Sequence, residues 1–242
     1  MTCAPHPLDS LGTGVFIRRI ADYPVELLAR FSWACIAVVN EGRGALNRDP
    51  GWWADARAAG VTLTAFDWLP TPQRFATGLE DAITWSAEHG SACYVADLER
   101  EWHHEPAAAT AYVDAARRAC DAVRCGLGLT SFAMVPKRRE WEILVAGCAD
   151  LSVPQAYDRD GYYAPDYAAR CVDRWQALGA QRIAVGRGAF VDPDRRGPEH
   201  ARWRSVPEIA RHRATTPPGM PTCWWPPAGR PRWQRVEAMV RA

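Results

Sequence analysis

At 242 residues, with 48% hydrophobic and 24% charged content, the chain is long enough to bury one large core and has the usual length of a (β/α)8 barrel forming a single domain, residues 1–242. A net charge of +1, with Arg43, Arg138, Arg139, Arg195 and Arg196 scattered rather than striped, argues against nucleic acid or an anionic lipid surface as a partner. No window approaches the roughly 18 apolar residues of a membrane span, and the first ten residues lack a basic start followed by an apolar run, so the chain reads as made in the cytoplasm without a signal peptide.

Taken in chain order, strands are predicted over residues 14–20, 34–40, 61–68, 92–99, 126–133, 151–156, 182–188 and 221–225. Helices are predicted over 24–31, 52–59, 75–88, 107–122, 140–147, 167–178, 206–213 and 233–240. Strict alternation of strand and helix is the order that a parallel sheet covered by helices requires, and eight cycles suit a closed barrel. Gly60, Gly90 and Gly179 stand where helices should stop before the next strand. The longer, polar, proline-bearing connections follow the strands instead, at 41–50, 69–72, 100–106, 158–165 and 191–207, which puts the elaborated loops on the C-terminal face of the barrel. An open doubly wound sheet would carry a glycine-rich phosphate turn after its first strand, whereas here Gly12-Thr-Gly14 precedes that strand and Arg18-Arg-Ile-Ala-Asp22 follows it. Gly186-Arg-Gly188 likewise lacks the remainder of a phosphate motif.

Eight cysteines without paired spacing, most of them inside apolar elements, read as buried free thiols. His103 and His104 are adjacent and have no Cys or His at ligand spacing, so neither a metal nor an organic cofactor is expected. Ser131 has no nucleophile-elbow context.

The chemistry-bearing residues gather at predicted strand ends. On the fourth strand, Cys93, Val95, Asp97 and Glu99 alternate onto one side, with the two acids at the C-terminal end and roughly 6.5–7 Å apart along an extended chain. A carboxylate beside a second carboxyl raises the latter's pKa by like-charge repulsion, which is how cleavage of a glycosidic bond obtains an acid still protonated near neutral pH. Glu99 is the expected general acid and Asp97 its partner. On the sixth strand, Gln155 and Tyr157 share a face, and an amide with a phenol can hold an acetamido group or a sugar hydroxyl. The eighth strand ends in Trp224-Trp225, whose indoles offer a flat surface for a sugar ring. Arg18, Asn40, Asp67, Ser131 and Arg187 are further polar residues at strand ends that could line a cleft, and His103-His104 could shape a subsite.

Asp97-Leu-Glu99, Gln155-Ala-Tyr157-Asp158 and Trp224-Trp225 together resemble the barrel glycosidases of families 18 and 25, the chitinase-like and lysozyme-like enzymes. The resemblance spans the chain in architecture and only these short motifs in residues. It implies that Glu99 protonates the leaving oxygen, Asp97 orients the substrate's N-acetyl group, Tyr157 holds that group's oxygen, and Trp224 or Trp225 lies under the sugar. The nucleophile would then be the substrate's own acetamido oxygen. The expected substrate is a β-linked, N-acetylated polysaccharide such as peptidoglycan or chitin-like material. Two departures stand out. Val95 occupies a position where the chitinase-like family continues its acidic run, and the first strand offers Arg18 or Arg19 where the lysozyme-like family begins with Asp. These departures, with Trp52, Trp53, Trp102 and Trp203 read as exposed, suit a second expectation: a non-catalytic glycan-binding or assembly component, for instance of a phage or phage-like particle that meets a cell wall.

Overall fold

The computed structural model describes residues 7–40, 44–68, 70–157, 165–191, 201–227 and 229–240. Eight parallel strands form the barrel: β1 (Thr13–Ile17), β2 (Trp33–Asn40), β3 (Thr62–Trp68), β4 (Cys93–Asp97), β5 (Gly126–Phe132), β6 (Leu151–Gln155), β7 (Val185–Gly188) and β8 (Thr222–Trp225). Each pairs with its chain neighbours, and β8 pairs with β1, so the sheet closes on itself. The (β/α)8 barrel expected from the strand–helix alternation is therefore the fold. Its helices are α1 (Val25–Leu28), α2 (Pro50–Ala58), α3 (Leu79–Glu88), α4 (Pro106–Val123), α5 (Arg139–Gly147), α6 (Tyr167–Gln176), α7 (Val206–Ala214) and α8 (Trp233–Val240). Two small additions sit on the loops: Gly44–Ala45 runs antiparallel to β2, and Phe190–Val191 pairs with Arg202–Trp203.

Strand alternation sorts the apolar residues into two clusters. One lies between barrel and helices and includes Val15, Ile36, Ala65, Tyr94, Leu129 and Val185, with Tyr112, Trp141 and Trp175 from the helices. The other fills the barrel: Phe16, Trp33, Cys35, Phe66, Cys93, Val95, Leu151, Val153, Cys223 and Trp225, with Leu8 packed into it just ahead of β1. Large rings inside the barrel require small residues beside them. A Cβ on Gly14 would lie 2.2 Å from the Trp33 ring, and one on Gly128 would lie 2.5 Å from the Leu151 carbonyl oxygen.

Local signals explain where helices start and stop. Asp49 accepts from the Gly51 and Trp52 amides at the head of α2, and Ser205 forms a reciprocal capping box with Glu208 at the head of α7. Gly90, with φ of +84°, ends the turn after α3, as its place in the sequence suggested.

Three expectations need correcting. β4 ends at Asp97, so Glu99 lies beyond it and leads into a short turn, Arg100–Trp102. The chain turns there because Trp102 is drawn into the outer core, against Phe75 and Tyr112, where its indole N–H donates to the Pro70 carbonyl. β6 ends at Gln155, and two tight turns, Ala156 N–H to Pro154 and Tyr157 N–H to Gln155, carry the chain past it. The tryptophans read as exposed are not: Trp53 and Trp102 are fully buried, and Trp52 and Trp203 are half-buried against the outer core, because an indole gains far more from covering apolar surface than from solvation of its one N–H. Among the described residues, no helix is long and apolar enough to cross a membrane.

Candidate active site

The parallel strands point their C-terminal ends at one mouth, and its polar side is built from β4, β5 and β6. Asp97 is the last residue of β4 and pairs in register with Trp68 of β3 and Thr130 of β5. Gln155, at the end of β6, donates from Nε2 to Asp97 Oδ1 at 2.8 Å and lies 3.4 Å from Thr130 Oγ1. Thr130 in turn donates to the Val153 carbonyl at 2.8 Å, so its hydroxyl oxygen is turned to accept from Gln155. This short chain of hydrogen bonds across three strands gives Asp97 one orientation.

Asp97 is only 1% exposed. Burial pushes its carboxyl well above the usual carboxylate range, the charge of neighbouring Glu99 pushes the same way, the Gln155 hydrogen bond pulls against both, and Asp67 adds a further upward push. The sequence led to Glu99 as the acid held protonated by an anionic Asp97. The geometry drives the buried partner, Asp97, toward its protonated form, with Glu99 as the half-buried carboxyl at the mouth.

The other side of the mouth is aromatic. Trp225 packs on Phe16 at 4.5 Å, Phe66 at 5.8 Å, Tyr157 at 6.2 Å and Trp68 at 6.5 Å, and Tyr157 meets Phe190 at 5.7 Å. Arg18, just past β1, lies over the Trp68 ring with its guanidinium carbon 5.1 Å from the centroid. Asp97, Glu99, Gln155, Tyr157, Trp225 and Arg18 are thus brought to one end of the barrel.

Other expected site residues lie elsewhere. Trp224 alternates outward, fully buried between barrel and helices with the His212 ring 6.0 Å away, so it cannot serve as a sugar platform. Asp67 also faces outward, since Phe66 and Trp68 on either side of it belong to the inner cluster. Its charge is felt by the Tyr94 and Tyr112 hydroxyls of the outer layer. Ser131 and Arg187 share this outward parity; Arg187 is bound to the Ala156 carbonyl, the His212 carbonyl and the Thr215 hydroxyl, which fastens α7 to the sheet. Asn40 ends β2 in register with Trp68, and only its backbone is described. Asp158 falls outside the described residues. His103 and His104 sit on the rim: the His103 ring stacks edge-on against Trp141, and the His104 amide donates to the buried Glu140 carboxylate at 3.0 Å.

Three residues that build the mouth were missed. Thr130 and Trp68 were legible in principle, since each continues the inward parity of its strand through Gly126 and Gly128 or through Phe66. Asn47 left no signal. Its left-handed backbone places its amide to donate to the Arg18 and Ala37 carbonyls and accept from the Ile20 N–H, which ties the ends of β1 and β2 together.

No known family's sequence profile matches the chain, and no curated protein sequence does. Solved structures do. A chitinase from Chromobacterium violaceum superposes with a TM-score of 0.63 at 10% identity, covering 96% of this chain and 100% of that one. A family 18 chitinase from Flavobacterium johnsoniae gives 0.59 at 10% identity, covering 96% and 93%. A xylanase-A-amylase inhibitor protein, XAIP-III, gives the same 0.59 and 10%, covering 96% and 98%. At this identity the likeness establishes architecture: the chain is a (β/α)8 barrel, with a carboxyl pair at its C-terminal mouth.

Proposed function

We propose that this protein is a glycoside hydrolase that cleaves a β-linked polysaccharide of N-acetylated sugars, with Glu99 and Asp97 acting as a pair that shares a proton. The observation that carries the reading is the burial of Asp97 beside Glu99 at the mouth, oriented by the 2.8 Å hydrogen bond from Gln155. In the resting site Asp97 holds the proton. A bound sugar that covers Glu99 removes its water and favours passage of the proton to Glu99, which delivers it to the glycosidic oxygen as the bond breaks. The Asp97 carboxylate left behind faces the positive charge that develops when the acetamido oxygen attacks the anomeric carbon. Tyr157 and Gln155 would position the acetamido group, and Trp225 with Trp68 would supply the apolar surface under the ring. Water then opens the ring formed by the acetamido oxygen and gives its proton to Glu99, so the two carboxyls, the substrate's own acetamide and one water enter the chemistry. Both chitin-like material and peptidoglycan carry that group, the first in keeping with the chitinases that share the fold.

Release of reducing ends from chitin oligomers and from purified peptidoglycan tests the proposal, wild type against Glu99→Gln. A fall of roughly 10²-fold or more in a clear wild-type activity is expected, the scale of general-acid catalysis. Activity untouched by the substitution removes Glu99 from the mechanism.

A second reading is favoured by one finding: the same fold likeness extends to an inhibitor protein. On that reading the mouth binds glycan without cleaving it, as part of a particle or assembly at a cell wall. Wild-type protein that binds chitin oligomers calorimetrically and releases no reducing ends would establish it.

A further inference from the structure

Two cysteines flank the helix stop after α4. Arg124 adopts the left-handed conformation, with φ of +56°, its N–H donates to the Asp121 carbonyl at 3.3 Å, and the Cys125 N–H donates back to the Cys120 carbonyl at 2.9 Å. This is the Schellman arrangement, in which the side chain one residue past the left-handed position meets the side chain five residues earlier. That contact is ordinarily between two hydrocarbons. Here both members are thiols, and the Cys125 S–H donates to the Ser91 carbonyl at 3.7 Å. All seven described cysteines are free and buried.

We infer that Cys120 and Cys125 form a dithiol couple, closed to a disulfide across the end of α4 by a small peroxide. The geometry separates their roles. Cys120 is wholly buried, whereas Cys125 retains 6% exposure, so an oxidant from solvent reaches Cys125 first. The neighbouring Cys120 thiol pulls Cys125 below its ordinary range and is itself held above its own, which accords with the more exposed Cys125 as the attacking sulfur. Its thiolate attacks one peroxide oxygen, the O–O bond breaks, hydroxide leaves, and Cys125 becomes a sulfenic acid. The Cys120 sulfur then attacks the Cys125 sulfur and the hydroxyl departs as water after taking the Cys120 proton. Two thiols and one hydrogen peroxide yield one disulfide and two waters. Cys125 directly precedes β5, so the bridge clamps α4 to the N-terminal end of the barrel, opposite the Asp97 mouth. The inference stands independently of the glycosidase reading.

Arg124 lies between the two cysteines, and tryptic cleavage there places them on separate peptides, residues 119–124 and 125–137. After brief exposure of the folded protein to stoichiometric hydrogen peroxide and alkylation of remaining thiols, the two peptides are expected as one linked species, two hydrogens lighter than their sum and split by dithiothreitol. In Cys120→Ser, the 125–137 peptide should instead carry a sulfenic acid captured by dimedone. Two outcomes overturn the inference: a folded wild-type chain that keeps both thiols under peroxide that oxidises the urea-unfolded chain, or sulfinic acid on Cys125 with Cys120 still a thiol.

Discussion

Asp97 is buried because of where β4 ends, and burial beside Glu99 pushes its carboxyl well above the usual carboxylate range. With its folded-state pKa raised, it binds more protons folded than unfolded at neutral pH, so its contribution favours folding fully below the unfolded value near 4 and is lost as pH rises toward the folded pKa. Asp97→Asn is therefore expected to be more stable than wild type at pH 7–8, with the gap narrowing as pH falls toward 4, while activity falls by roughly 10²-fold or more. Urea titrations at several pH values, beside reducing-end assays, check both halves; equal stability at every pH would mean that the carboxyl is not held protonated. The neighbours act with opposite signs. Glu99→Gln removes an upward push and should lower the Asp97 pKa, whereas Gln155→Ala removes a hydrogen bond to the anion and should raise it. Carboxyl-carbon NMR of labelled Asp97 reads both shifts.

Elements in this barrel are positioned by small residues and caps as much as by apolar pattern. Gly128 on β5 faces the Leu151 carbonyl of β6 so closely that an added methyl meets backbone, which no rotamer change relieves. Gly128→Ala should cost about 1–3 kcal/mol by overpacking, measured as a lower urea midpoint with the m-value kept. The cap on α7 is a contrasting case, being exposed and far from the barrel interior. Ser205→Ala there should cost about 1 kcal/mol and leave glycan cleavage unchanged; a change in kcat would mean that α7 bears on the mouth. Simple alternation along a strand describes Asp97, Gln155 and Trp225, whereas Glu99 and Tyr157 reach the same mouth from past the last paired residue, where turns rather than the pleat set direction.

For the whole molecule, a buried histidine opposes Asp97, its contribution falling as the pH is lowered. His212, on the buried face of α7 near Arg187 and Arg204, has its pKa pushed down to about 2 by desolvation and then by those two cations. A depressed folded pKa gives stability that is present above the unfolded value of about 6.5 and lost as pH falls through the window toward 2. Between pH 7 and pH 5 this one group accounts for about 2 kcal/mol. His212→Gln should lose less stability than wild type over that interval by about the same amount, with denaturant unfolding at both pH values as the check.

What the sequence alone determined is the barrel: eight alternations of strand and helix, with glycine stops, leave closed parallel packing as the arrangement that buries every apolar face. It also placed Asp97 and Gln155 at the same end, since strand parity and chain direction are local properties. The tertiary structure alone decided which member of the acid pair is buried. It also decided that Trp225 faces the mouth while Trp224 faces α7, and that Asp67 and Arg187 belong to the helix layer. Those outcomes depend on what neighbouring strands and helices leave uncovered, and a lone strand carries no record of which of its two faces will be enclosed.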